Sequence, residues 1–168
     1  MKYKELYDEE FLNTFGKHKT NVGNIKLKGF AIDVDKIANA CGIKLDDPHE
    51  IYEPKAQYLK AFQLFSILMH HDEILEGFED KPYYQTVKNM QTNAANQKAS
   101  QLLVPNKLAK AAIIDTLNEL NYPEDKQFDE FELEQLILRT AEKMKLSPIM
   151  FRRYCYEINA FTDAPTKE

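Results

Sequence analysis

With 168 residues, 43% of them hydrophobic and 11% aromatic, the chain is long enough to bury a proper core as one domain. Its net charge of −5 gives no global reason to expect a polyanion partner, so any nucleic-acid contact would have to be local. Two cysteines, Cys41 and Cys155, stand far apart and form no C-x-x-C pair, which signals neither a disulfide framework nor a zinc knuckle; reduced, partly buried thiols are expected. The segment Met1 to Glu5 is charged and no apolar h-region follows it. Nor is there a run of the roughly 18 apolar residues that a membrane span needs, so the expectation is a cytoplasmic protein with no membrane contact.

Leu6, Tyr7, Phe11, Leu12 and Phe15 recur at helical spacing and Gly16 follows as a stop, which predicts an amphipathic helix over 3–15. Ile25 to Phe30 alternates apolar with basic side chains and predicts a short strand. Asp33 is placed to cap a helix with Val34, Ile37 and Ala38 inward, Gly42 to end it, and Ile43 to Leu45 to leave as extended chain. His49 falls in the loop after it and reads as a solvated residue. Pro54 opens a third helix reaching Gly77, apolar on more than one side and therefore central. Pro82 opens a fourth, with Tyr83, Val87, Met90, Ala94 and Leu102 in one stripe and Ala94, Ala95 and Ala99 small enough for close packing on the third. A fifth helix spans Asn106 to Leu120, and a sixth begins near Asp129 with Phe131, Leu133, Leu136, Ile137, Ala141 and Met144 inward. Acids from Glu124 to Glu134 match the positive end of its dipole. Ser147 and Pro148 start a seventh helix. The expected fold is thus mainly α, a compact domain of about seven helices over 1–161 with at most a small residual β-sheet, followed by a frayed tail at 162–168.

Three blocks carry a resemblance. Ile32 to Ile43 (I-D-V-D-K-I-A-N-A-C-G-I), Ala95 to Pro105 (A-N-Q-K-A-S-Q-L-L-V-P) and Ala141 to Pro148 (A-E-K-M-K-L-S-P) resemble, in this order, the "P-I-D-V-E-K-I-A-E-x-L-G-I", "A-N-x-F-A-x-x-L-L-M-P" and "A-x-x-F-x-V-S-P" segments of the ImmA/IrrE family. These are zinc-dependent endopeptidases, largely of phages and mobile elements, that inactivate helix-turn-helix repressors. The resemblance spans about residues 31–158 and implies a zincin-like core followed by helix-turn-helix-like C-terminal helices.

The family's chemistry is not carried with it. H-E-x-x-H places two ligands four apart on one helical face, with the Glu activating the bound water. Setting Phe65 to Leu68 against the family's "F-T-x-A" puts Met69, His70, His71, Asp72 and Glu73 in those five positions; in shifted registers His70 faces Ile74 and His71 faces Leu75. The third ligand, a Glu ahead of the "A-N" pair, is met by Thr92, Asn93 and Ala94. Between Leu45 and Pro54 there is also no room for the β-hairpin the family inserts, so the sheet should be much reduced.

Three classes of function follow. His70 and Glu73, three apart on one helical face beside His71, Asp72 and Glu76, are weak candidates for a residual metal site, zinc being the ion implied and an active or rewired endopeptidase its consequence. No Ser-His-Asp or Cys-His set and no G-x-G loop offers other chemistry. Between Arg139 and Arg153 five basic residues accompany one acid, which makes Arg152 and Arg153 candidates for DNA contact on an exposed helix. The preferred reading is a non-catalytic pseudopeptidase without cofactor that holds a protein partner, a helix-turn-helix repressor by the resemblance, in the family's groove, with His70, His71, Glu73, Tyr83 and Tyr84 lining it.

Overall fold

The computed structural model describes residues 1–47, 53–123, 125–158 and 160. Among these the chain is mainly helical: α1 (Glu9–Asn13), α2 (Lys19–Gly23), α3 (Val34–Ala40), α4 (Glu53–Leu68), α5 (His71–Glu76), α6 (Tyr84–Leu103), α7 (Asn106–Glu119), α8 (Glu130–Lys143) and α9 (Pro148–Glu157). His49 and the tail at 162–168 lie outside the described residues.

Among the described residues nine α-helices stand where about seven helices are expected, and the differences have local causes. The first predicted helix breaks because the Asp8 carboxylate accepts the Phe11 N–H at 2.7 Å and starts a new helix there. Tyr3, Leu6, Phe11, Leu12 and Phe15 are buried all the same. The predicted strand at 25–30 reduces to one antiparallel bridge between Lys2 and Lys26, flanked by Tyr3 N–H to Ile25 C=O at 2.9 Å and Leu27 N–H to Met1 C=O at 3.0 Å. Its only partner among the described residues is the segment at Met1 to Tyr3, and Gly29, at φ 65°, ends the extended run. Ile43 to Leu45 pairs with nothing in a described ladder either.

The third predicted helix is two. His70 adopts φ 54°, ψ 41°, the left-handed conformation that ends helices, and α5 restarts directly after it. Elsewhere the capping signals hold. Asp33 accepts the Lys36 N–H at 3.1 Å, Asp129 and Glu132 form a reciprocal capping box, and Ser147 accepts the Met150 N–H at 3.2 Å ahead of Pro148.

α4 and α6 form the centre of the molecule and run antiparallel, since Tyr58 meets Asn96 while the His71 carbonyl meets Gln91. Ala61, Ala95 and Ala99 are fully buried with Leu64, Phe65 and Leu102, so the small side chains bring the two helices close. The buried stripe of α6 belongs to its second half. Met90, expected inward, is 66% exposed, in the first half of α6, where α4 has ended at Leu68 and the short α5 lies alongside instead. Phe131, also expected inward, is 72% exposed on the first turn of α8. An aromatic cluster fastens the N-terminal segment to α4: Tyr7 stacks on Phe11 at 4.7 Å, and Phe11 and Phe15 each meet Phe65 at 5.9 Å. α7, α8 and α9 pack in succession, with a buried Thr140–Thr116 hydroxyl contact of 3.1 Å between α7 and α8.

Candidate functional site

The polar cluster after α4 is dispersed by the backbone. With His70 left-handed, the residues on either side of it belong to different helices, and the face that an i, i+4 ligand pair needs is interrupted. His70 is 74% exposed in its side chain, with Nδ1 4.0 Å from the equally exposed Glu73 carboxylate. His71 turns inward and is buried; burial pushes its pKa below the ordinary value, against a smaller opposing pull from Asp72. Its carbonyl accepts from Gln91 at 3.2 Å. Among the described residues no three His, Cys, Asp or Glu side chains gather in a way that would hold a metal ion. Tyr83 is half-exposed with its ring edge-on to Phe78 at 5.7 Å, and Tyr84 is half-buried at the start of α6. None of His70, His71, Glu73, Tyr83 and Tyr84 lines either of the two clefts described next.

Four of the five cations between Arg139 and Arg153 already have carboxylate partners. Lys143 pairs with Asp115 and with Glu119 at 2.8 Å, Lys145 with Glu53 at 3.2 Å, Arg152 with Glu134, and Arg153 with Glu157 at 3.0 Å. A basic face for phosphate is therefore largely neutralised within the fold.

The larger cleft, about 1110 Å³, opens between the start of α4, the outer face of α6 and α9. Pro54, Lys55 and Tyr58 form one wall, Asn93, Asn96, Gln97, Ser100 and Gln101 the floor, and Ile149, Met150, Arg153, Tyr154 and Glu157 the other wall. A smaller cleft of about 470 Å³ lies between Leu6 to Phe11 and the end of α6. Gln97, Gln101, Val104 and Asn106 line both.

The phenols and the thiol at the larger cleft are held protonated. Burial raises the pKa of Tyr58, which Arg153 pulls the other way, and pushes the Tyr154 phenol up to about 12, helped by Cys155. Both are hydroxyl donors at neutral pH: Tyr58 donates to Asn96 Oδ1, and Tyr154 to Asn106 Oδ1 at 2.7 Å. Cys155, next to Tyr154 but buried, has its thiol pushed up to about 12, and burial alone takes Cys41 to about 11. Neither is a thiolate nucleophile near neutrality. The lining thus offers amides, oriented phenols, Lys55, which has no carboxylate partner among the described residues, and an exposed isoleucine, Ile149, at 75%.

Sequence reasoning passed over these residues. Only Arg153, on other grounds, was among the candidates, and the legible signal was the run of amides along one face of α6: Asn93, Gln97 and Gln101 at four-residue spacing. No family model, curated protein or solved structure matches the chain. The fold is that of a mainly α-helical domain in which no described helix is long and apolar enough to cross a membrane.

Proposed function

We propose that this chain is a non-catalytic, protein-binding regulator of the ImmA/IrrE type, a pseudopeptidase on a zincin-like scaffold, and that the cleft between α4, α6 and α9 is where it holds its partner. The three sequence blocks at 32–43, 95–105 and 141–148 support the family; on that resemblance the partner is a helix-turn-helix repressor of a phage or mobile element, met in the cytoplasm. The observation that carries the binding reading is the lining of the cleft. Ile149 is exposed beside Met150, Arg153 and a floor of neutral amides, a combination of apolar anchor and hydrogen-bonding rim that suits a polypeptide. DNA recognition is disfavoured by the internal pairing of Lys143, Lys145, Arg152 and Arg153.

The test is a pull-down from the native host with the wild-type chain and an Ile149→Asp variant, both checked for folding by circular dichroism. A helix-turn-helix regulator retained by the wild type and lost from the variant is the expected result. Retention of no protein, or of the same proteins by both, overturns the proposal.

A further inference from the structure

α6 is an unusual surface helix in its composition. Between Asn89 and Gln101 it carries one charged residue, Lys98, and six Asn or Gln side chains. A solvated helix face is ordinarily built from Lys, Glu and Arg, which are good helix formers and keep the surface soluble, whereas Asn costs some tenths of a kcal/mol per residue, about 0.7 at most, relative to Ala. Asn89 is bonded within the helix by Gln85 at 2.9 Å, but local helix stability does not account for Asn93 and Asn96.

Three of these amides, Asn93, Gln97 and Gln101, recur every four residues and are exposed on the floor of the larger cleft. Four residues of helix rise about 6.0 Å. Two residues of extended chain advance about 6.4–6.8 Å. Over the ladder's two steps the mismatch is roughly 1–1.5 Å by the same values, within the reach of flexible Gln side chains. Each amide offers both a donor and an acceptor, the complement of a backbone N–H and C=O. Two further amides are set in place beside them: the oxygens of Asn96 and Asn106 are taken up by the Tyr58 and Tyr154 hydroxyls, which leaves their NH₂ groups as the donors on offer. Holding an amide in advance lowers the ordering cost of binding.

The two clefts adjoin along α6, because Gln97, Gln101, Val104 and Asn106 belong to both. The flanks of α6 differ in charge. Lys55 on the α4 side and Glu10 on the α1 side each line a cleft and have no carboxylate or cationic partner among the described residues. Arg153 and Glu157 offset each other at 3.0 Å, and Lys98 sits 5.3 Å over the Phe11 ring.

We infer that the larger cleft binds an extended polypeptide segment of the partner by its backbone, the amide ladder of α6 reading alternate peptide groups, with an acidic side chain of that segment toward Lys55 on one flank and a basic one toward Glu10 in the adjoining cleft on the other. The inference rests on the binding role proposed above and specifies its occupant: a strand-like segment rather than a helix. Recognition through main-chain groups tolerates varied side chains along the segment, and the two flanking charges select among them.

The probe is a displayed library of random linear dodecapeptides, panned against the intact chain. Enriched peptides are remade with single backbone N-methyl groups and, separately, single alanines, and their affinities measured by fluorescence anisotropy. The expected profile is a loss of about three- to tenfold at every second N-methylated position, as for one hydrogen bond each. Binding should weaken at least about tenfold in Gln97→Ala/Gln101→Ala, two exposed positions whose replacement leaves the fold intact by circular dichroism. Glu10→Lys should select against the basic residue. If the peptides bind in the cleft, shown by loss on Ile149→Asp, but are indifferent to N-methylation or show alanine sensitivity every three to four residues, the extended-segment inference is overturned and the binding role stands. If no peptide is enriched, or binding ignores Ile149→Asp, both fall.

Discussion

Replacing Tyr7 by Phe removes one hydroxyl and nothing else, and that hydroxyl joins two parts of the chain far apart in sequence. It donates to the Leu102 carbonyl at 2.6 Å, one of the last carbonyls of α6, which have no partner inside the helix. The ring contacts survive the substitution, since stacking on Phe11 at 4.7 Å and the edge contact with Tyr3 at 6.5 Å need only the ring. The loss is then one net hydrogen bond plus the desolvation of a carbonyl left without its donor, together about 1–3 kcal/mol. A chain of 168 residues unfolds with an entropy of about 0.35 kcal/mol/K near its midpoint, so Tm should fall by about 3–8 °C in calorimetry. A second signature distinguishes the hydroxyl from a packing defect. Burial holds the Tyr7 phenol well above its usual range, with Tyr3 adding to it. A raised folded pKa means stability that is whole below the unfolded value of 10.0 and is lost as pH rises toward the folded one. Tyr7→Phe should therefore lose less stability than wild type above pH 10. A Tm unchanged within about 1 °C would refute the reasoning, because a part-buried, paired hydroxyl is not expected to be removed at no cost.

Two further substitutions test the break between α4 and α5. His70 sits at φ 54°, where glycine carries no steric penalty, so His70→Gly should stabilise the protein by about 1 kcal/mol in urea denaturation; the contact it gives up, 4.0 Å to Glu73 between exposed side chains, is worth little. His71, by contrast, is buried with its pKa depressed below 6.5. The unfolded chain takes up that proton first, so the contribution is whole above pH 6.5 and declines as pH falls through the lowered folded value. The urea midpoint should drop between about pH 7.5 and pH 5.5, and His71→Gln should flatten the drop.

How much of this was legible depends on where the determining contacts lie. Asp33 with Gly42, Asp129 with Glu132, and Ser147 with Pro148 announced helix ends correctly because a cap bonds the backbone only a few residues away. His70 gave no such notice: neither Gly nor Pro marks the site, and the apolar spacing runs on across it. Met90 and Phe131 fit a helical stripe yet face solvent, since periodicity reports which residues share a face and not whether anything lies opposite. The cleft was hidden for the same reason. Tyr58, Asn96, Arg153 and Tyr154 come from three helices, and no local spacing connects them. Its one local trace, the amides at 93, 97 and 101, resembles any polar helix face until the opposite walls are in place.

The break at His70 also bears on how a zinc site would relate to this scaffold. On the register that the proposed resemblance sets, residues 69 and 73 are the positions that would carry the paired histidines, and they can share an ion only if one helix runs through both. Here the chain is left-handed between them, α5 packs on α6, and Gln91 holds the carbonyl of the buried His71 at 3.2 Å. Straightening the helix means giving up those contacts and moving His71. Histidines introduced at positions 69 and 73 would therefore face the cost of remaking the α4–α5 junction before they could meet at one metal, so side-chain replacement alone does not create an i, i+4 ligand pair.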